Sequence, residues 1–243
     1  MQLYPVAGSR IYIGPAVTSV PDDEDLDVTD FASVSWTEID GWQTMGAIGD
    51  SKALITESAI NRGRDIKAGG TKNAGSMQNQ FLILPDDDGQ LALIAAENTS
   101  FNYPFRIVHD DAPPALSATA TMTIAAPGVI TWTGHTLVAG DRVKFSTTGA
   151  LPTGLVAGTT YYVVNPASDT FSVSATAGGS AITTTGTQSG THTVATVPSG
   201  STKLFYAIVM GSPEQGGGAN TARLVSTTLE INSAILRVAA AAA

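Results

Sequence analysis

Three consecutive aspartates, Asp86, Asp87 and Asp88, precede Gly89 in the stretch LILPDDDGQLALIAAE. Such a knot could ligate calcium, because hard cations gather carboxylate and carbonyl oxygens. A calcium loop spreads its ligands over about twelve residues and closes on a glutamate. Counted from Asp86, the closing position is Glu97, which fits. The intervening LALIAA, however, is apolar where ligands are required. Helix initiation accounts for the knot better. Asp86 or Asp87 can accept orphan backbone N–H groups at a helix start, and neighbouring acids suit the positive end of the helix dipole.

A second acidic run holds Asp22, Asp23, Glu24, Asp25 and Asp27. It reads as a solvated loop, as a surface that repels polyanions or pairs with a basic neighbour, or as a calcium site of unspecified geometry. The histidines, His109, His135 and His192, share no ligand spacing. His109-Asp110-Asp111 is at most a catalytic fragment. No GxSxG or HExxH occurs, and Gly216-Gly217-Gly218 lacks the Lys-Ser/Thr of a phosphate loop. An enzyme reading therefore has little to stand on, and no cofactor is expected.

The elements that would position these groups are mostly strands. SRIYIG, SVSWTEID, SMQNQFLIL, FNYPFRIVH and KLFYAIVMGS read as strands. Pro104 suggests an edge strand or a strand start. Residues 86–97 suit a helix of about three turns. Residues 222–236 read as a final strand or bent strand pair. Residues 46–79 read as a long loop or β-arm that carries Arg62, Arg64 and Lys67. Loops this long inside a domain are often functional.

The texture changes after DDAPPAL. Residues 116–198 are rich in Thr, Ser, Ala, Gly and Val, with the short strands TATMTI, VITWTG, DRVKFS, TYYVVN and TFSVSAT. This is a small all-β module. The first texture resumes near residue 201. The organisation is thus a host domain of residues 1–112 and 201–243, interrupted by an insert at 116–198, since loop tips tolerate insertion.

Composition bounds the partners. Only 14% of residues are charged and the net charge is −9. Twelve Lys and Arg in 243 residues make no nucleic-acid footprint, and an acidic chain repels a phosphate backbone. So little charge leaves surface to be covered by Thr, Ser, Gly and Asn, or by partners. With no cysteine, disulfides and zinc–thiolate sites are impossible. The first residues, MQLYPVAGSRIYIGP, do not read as a signal peptide, and no apolar run is long enough to span a membrane.

The order of landmarks resembles the tail tube, or major tail, protein of long non-contractile-tailed phages of the lambda type. GSRIYIG is followed by an acidic loop and then FASVSWTEIDGWQTMGAIG. A long loop then carries Lys72 and Asn73. LILPDDDGQLALIAAE resembles the family's single helix and the strand before it. FNYPFRIVHD and KLFYAIVMGS resemble the adjacent strands, and TTLEINSAIL the closing one. The insert departs from the family pattern, where a short turn joins the strands near residues 110 and 202; it resembles small β modules of phage tail and fibre proteins.

The resemblance implies a tail-tube-type β-sandwich or barrel with one short helix, interrupted by an all-β domain that points outward. It implies homohexameric rings stacked into a hollow tube, with tape measure, tail terminator and tail tip proteins as partners. It also implies a place in the virion tail after assembly in the host cytoplasm. DNA would pass without specific binding. Arg62, Arg64, Lys67 and Lys72 would form an inter-ring arm that meets acids of the next ring. Period-two patterning offers Glu38 and Asp40 on the second strand, and Glu230 on the last, as lumen acids or as ordinary exposed carboxylates. The alternative function is a tail-associated surface or carbohydrate-binding protein, acting through Trp132, Tyr161 and Tyr162 of the insert, unless these rings fill its core.

Overall fold

The structure, a computed structural model, describes residues 3–242. In chain order its first strands are β1 (Arg10–Ile13), β2 (Thr37–Ile39), β3 (Trp42–Thr44), β4 (Ser51–Glu57), β5 (Ile66–Asn73) and β6 (Ser76–Leu82). Helix α1 (Asp88–Glu97) and β7 (Tyr103–Val108) follow. Then come β8 (Ser117–Met122), β9 (Ile130–Thr131), β10 (Arg142–Thr147), β11 (Thr160–Val164), β12 (Thr170–Ser174) and β13 (His192–Thr196). The last are β14 (Thr202–Gly211), β15 (Glu214–Gln215), β16 (Leu224–Ile231) and β17 (Leu236–Val238).

The chain is mostly β, and its described residues form two compact units: 3–110 with 201–239, and 111–200 with 240–242. Residues 240–242 therefore group with the insert, although the sequence expectation puts residues 201–243 in the host. Paired backbone hydrogen bonds between Ser199 and Ala241, both 2.9 Å, hold them there.

The host sheet runs β2-β1-β7-β14-β16-β6-β3, with β17 beside β14 and β15 beside β16. Its neighbours are antiparallel; β1, β6 and β16 alternate buried with more exposed residues, while central β14 buries Leu204 to Ala207 on both faces. Ile11 stands opposite both Ile39 and Ile107, and Phe105 opposite Phe205 with ring centroids 5.7 Å apart. With Met77, Phe81 and Leu229 these residues make the core, and Leu93 and Ala96 of α1 close it. Each fully buried Phe or Ile contributes about 1.5–3 kcal/mol.

Strand β7 lies inside the sheet between β1 and β14. Of the two readings of Pro104, edge or start, the structure takes the second: Pro104 is the second residue of its strand. Its carbonyl still accepts from Gly14 at 2.9 Å.

Half of the opposite sheet face is covered by the segment after β1. Phe31 stacks on Tyr206 at 4.8 Å, and Leu26 and Leu204 are buried beside them. Arg106 lies between the rings of Tyr12 and Trp36, 4.3 and 4.8 Å from their centroids. Burial lowers its proton affinity, but an arginine remains charged.

Asn79 is a buried polar residue on the core side of β6. Its Oδ1 accepts from the Trp42 indole at 3.2 Å and from the Gly46 amide at 3.1 Å, which ties residues 42–46 to the sheet. Asn79→Ala leaves both donors unpaired. It should lower host-unit stability by about 1–3 kcal/mol, read as an earlier chemical denaturation midpoint with an unchanged slope.

The insert is a closed six-stranded barrel, β10-β11-β12-β9-β8-β13. Val143, Phe145, Val163, Phe171, Val173 and Val194 alternate inward along their strands and fill it. Strand β13, absent from the sequence reading, closes the barrel by pairing with both β10 and β8.

Candidate functional site

Strands β4 and β5 pair with each other as a separate two-stranded ribbon. Residues 46–79, read as loop or arm, thus contain an ordered arm. Every residue from 51 to 73 is exposed except Ala59 and Gly70, which are half-buried. Leu54, Ile55, Ile60 and Ile66 are large apolar side chains left in water. The register places Ile55 opposite Ala68 and Glu57 opposite Ile66, so Ile55, Ile66 and Ala68 share one ribbon face. At the turn, Ser58 donates to Asp65 at 2.8 Å, and the Arg62 amide bonds to the Ala59 carbonyl at 2.9 Å.

The arm concentrates cations. Residues 51–73 hold Lys52, Arg62, Arg64, Lys67 and Lys72 against only Glu57 and Asp65. Arg62 and Arg64 lie in the connection, and Lys67 and Lys72 on β5. None of the five has an ion-pair partner among the described residues. Lys52 stands directly opposite Lys72, an unfavourable like-charge pair. Sequence reading passed over Lys52, which becomes part of the cation group only through this register.

The acids of residues 22–27 are already engaged in part. Asp23 accepts from the Ala234 amide at 2.6 Å. Asp27 caps the 3-10 helix Val28–Phe31, accepting from the Thr29 amide and hydroxyl at 2.6 Å each. The Thr29 hydroxyl, and then its amide, hold the Asp27 carboxyl below the usual aspartate range. Asp22 accepts backbone bonds from Asp25 and Leu26 through its carbonyl, and the carboxylates of Asp22, Glu24 and Asp25 are exposed. Asp23, Glu24, Asp50 and Lys72 line one cleft of about 590 Å3, so the base of the arm faces acids of its own chain.

The aspartate knot starts α1. Asp87 is the N-cap and accepts from the Gln90 amide at 2.7 Å, while Asp86 is exposed and Asp88 is the first helical residue. Two functional neighbours escaped sequence reading. Gly89 is buried because the helix start approaches β2: a Cβ there would meet the Glu38 carbonyl and lie 2.6 Å from the Ile39 Cα. Gln90 is a latch. Its Nε2 donates to the carbonyls of Asp40 at 2.9 Å and Leu82 at 2.8 Å, and its Oε1 accepts from the Leu84 amide at 3.1 Å.

The candidate lumen acids do not form one row. Glu38 lies on β2 opposite Tyr12, with its carboxylate 3.6 Å from Arg10. Glu230 lies on β16, where Ser76 donates to it. Both occupy the sheet face away from the main core. Asp40 does not lie on the strand of Glu38: β2 ends at Ile39, and the Asp40 carboxylate accepts from the Gly41 amide at 2.6 Å in the turn that follows. Gly41 has φ +75°, which forces the backbone out of the strand there. Around Glu230 the exposed half of the face carries Ser76, Gln78, Gln80, Ser226 and Thr228.

The insert's aromatics are largely internal. Tyr161 is buried, its hydroxyl accepting from the Val156 amide at 2.8 Å, and Trp132 packs against the barrel core. Tyr162 is half-buried. Trp132, Tyr161 and Tyr162 therefore present no open three-ring platform for a sugar. No protein-family model matches this chain, and no curated protein sequence matches it either.

Proposed function

We propose that this chain is a structural subunit that assembles with copies of itself into stacked rings, forming the hollow tail tube of a long-tailed phage. The observation that carries this reading is the arm. A lone two-stranded ribbon is marginal in water, and this one exposes four large apolar side chains and carries five cations with no ion-pair partner among the described residues. It needs a partner surface, and repeated copies provide one at each level of a stack. The sheet face around Glu230 supports the same reading. Hydroxyl and amide side chains with a carboxylate offer a phosphate backbone no cations, so DNA exchanges no counterions and slides. Tape measure, terminator and tip proteins complete the proposed assembly. The insert decorates the outside.

Negative-stain electron microscopy of the purified chain at high concentration tests the reading. Rings or hollow tubes with a regular axial repeat and outer knobs are the expected result. A monodisperse monomer at every concentration overturns it.

A further inference from the structure

Resting on that assembly reading, we infer that the arm of one copy docks on the outer face of helix α1 of a second copy. The helix is apolar on two sides. Leu93 and Ala96 face the core, while Leu91 and Ile94 remain 51% and 47% exposed. A helix that is apolar all round is a buried helix, and within its own chain α1 is covered on one side only.

The arm offers this face exposed apolar side chains and charges of the opposite sign. Ile55, Ile66 and Ala68 lie on one ribbon face, which Glu57 shares at its turn end. Leu91 and Ile94, three residues apart, form an apolar stripe on one side of α1, and Leu84 is exposed just before the helix. Around that stripe stand Asp86, Asp88 and Glu97, all exposed and without ion-pair partners among the described residues. From residue 86 to 97 there is no Lys or Arg. Arg62 and Arg64, in the connection at the end of the ribbon, carry the opposite sign, and Lys67 stands on the other ribbon face, opposite Thr56.

The acidic loop 22–27 fits less well as the seat. Its one large apolar residue, Leu26, is buried. Asp23 and Asp27 already accept hydrogen bonds, and Asp23 and Glu24 share a cleft with Lys72. That loop offers charge without an apolar surface, which would leave Ile55 and Ile66 uncovered. The helix offers both.

The chain has no cysteine, so an introduced pair reports a contact directly. The full-length chain carrying Ile55→Cys and Ile94→Cys is assembled and oxidised. An interchain disulfide is expected. The pair Ile55→Cys with Asp25→Cys is the comparison and should give none. In a second arm, Arg62→Glu with Arg64→Glu should raise the concentration for half-assembly by at least about tenfold. Adding Asp86→Lys and Asp88→Lys to that variant should restore assembly. Tubes that cross-link only through Asp25→Cys, or a charge reversal that the helix variants do not rescue, overturn the docking site and leave the tube reading intact. Absence of any assembly by the unmodified chain removes both.

Discussion

Gly89→Ala will destabilise the host unit by about 3 kcal/mol or more, at the upper end of what overpacking costs. The added methyl meets the Glu38 carbonyl and the Ile39 Cα, which are backbone atoms held in the sheet. No side chain can rotate away, so the helix must lift from β2 and uncover Leu93 and Ala96. Alanine is otherwise the better helix former by about 1 kcal/mol. A calculation from propensity alone therefore predicts the opposite sign, and thermal unfolding decides between them. Gln90→Ala should act through the same contact. It strips partners from the Asp40 and Leu82 carbonyls and the Leu84 amide, at about 1–3 kcal/mol for each group left dry. Gln90→Glu keeps the acceptor for Leu84 but loses both donated bonds, so it should recover only a minor part of the loss. A Gly89→Ala protein as stable as the original would show that the helix start does not approach β2 this closely.

Deleting residues 50–75 should abolish stacking while leaving the host unit folded. The chain after β3 runs along β6, with the Gly46 amide bonded to Asn79, so the cut ends are close to one another. The arm's four exposed apolar side chains are each worth about 1.5–3 kcal/mol if fully buried on assembly. Half of one such contribution per interface shifts the assembly midpoint about four- to tenfold, and four of them act together. The deletion should therefore raise it by at least about a hundredfold. Circular dichroism should retain the β signal, and sedimentation should show only small species. Excision of 116–198 is the contrasting variant: under the proposed function it leaves the tube and removes the knobs. An arm deletion that still stacks would make the exposed ribbon irrelevant to assembly.

Several features were legible in the residues because their causes are local. β16 reads LVSTTLEI, and its alternation alone places Val225, Leu229 and Ile231 on one face. Asp87 announces a helix start because an N-cap needs only its own side chain and the amides just after it. The insert stood out by texture, and its five quoted strand segments each overlap an observed strand. β13 escaped because HTVAT offers one large apolar residue, Val194, within a run of Thr, Ser and Ala. Its strand character comes from pairing with β8 and β10, distant in the chain. Asp40 was placed with Glu38 because alternation continues past Ile39 on paper, while Gly41 turns the backbone.

The sequence by itself determined that the chain is mostly β, that one helix follows the aspartate knot, and that a second β module interrupts the first. Period-two alternation, capping and composition are short-range properties, so they survive without a partner strand. Only the tertiary structure decided that β7 is internal, that the insert closes as a barrel, and that β4 and β5 stand apart as a ribbon. It also decided that Gly89 and Gln90 join α1 to the β2–β3 turn. These are choices among distant segments, set by which apolar faces meet and which backbone groups find partners, and no local pattern records them.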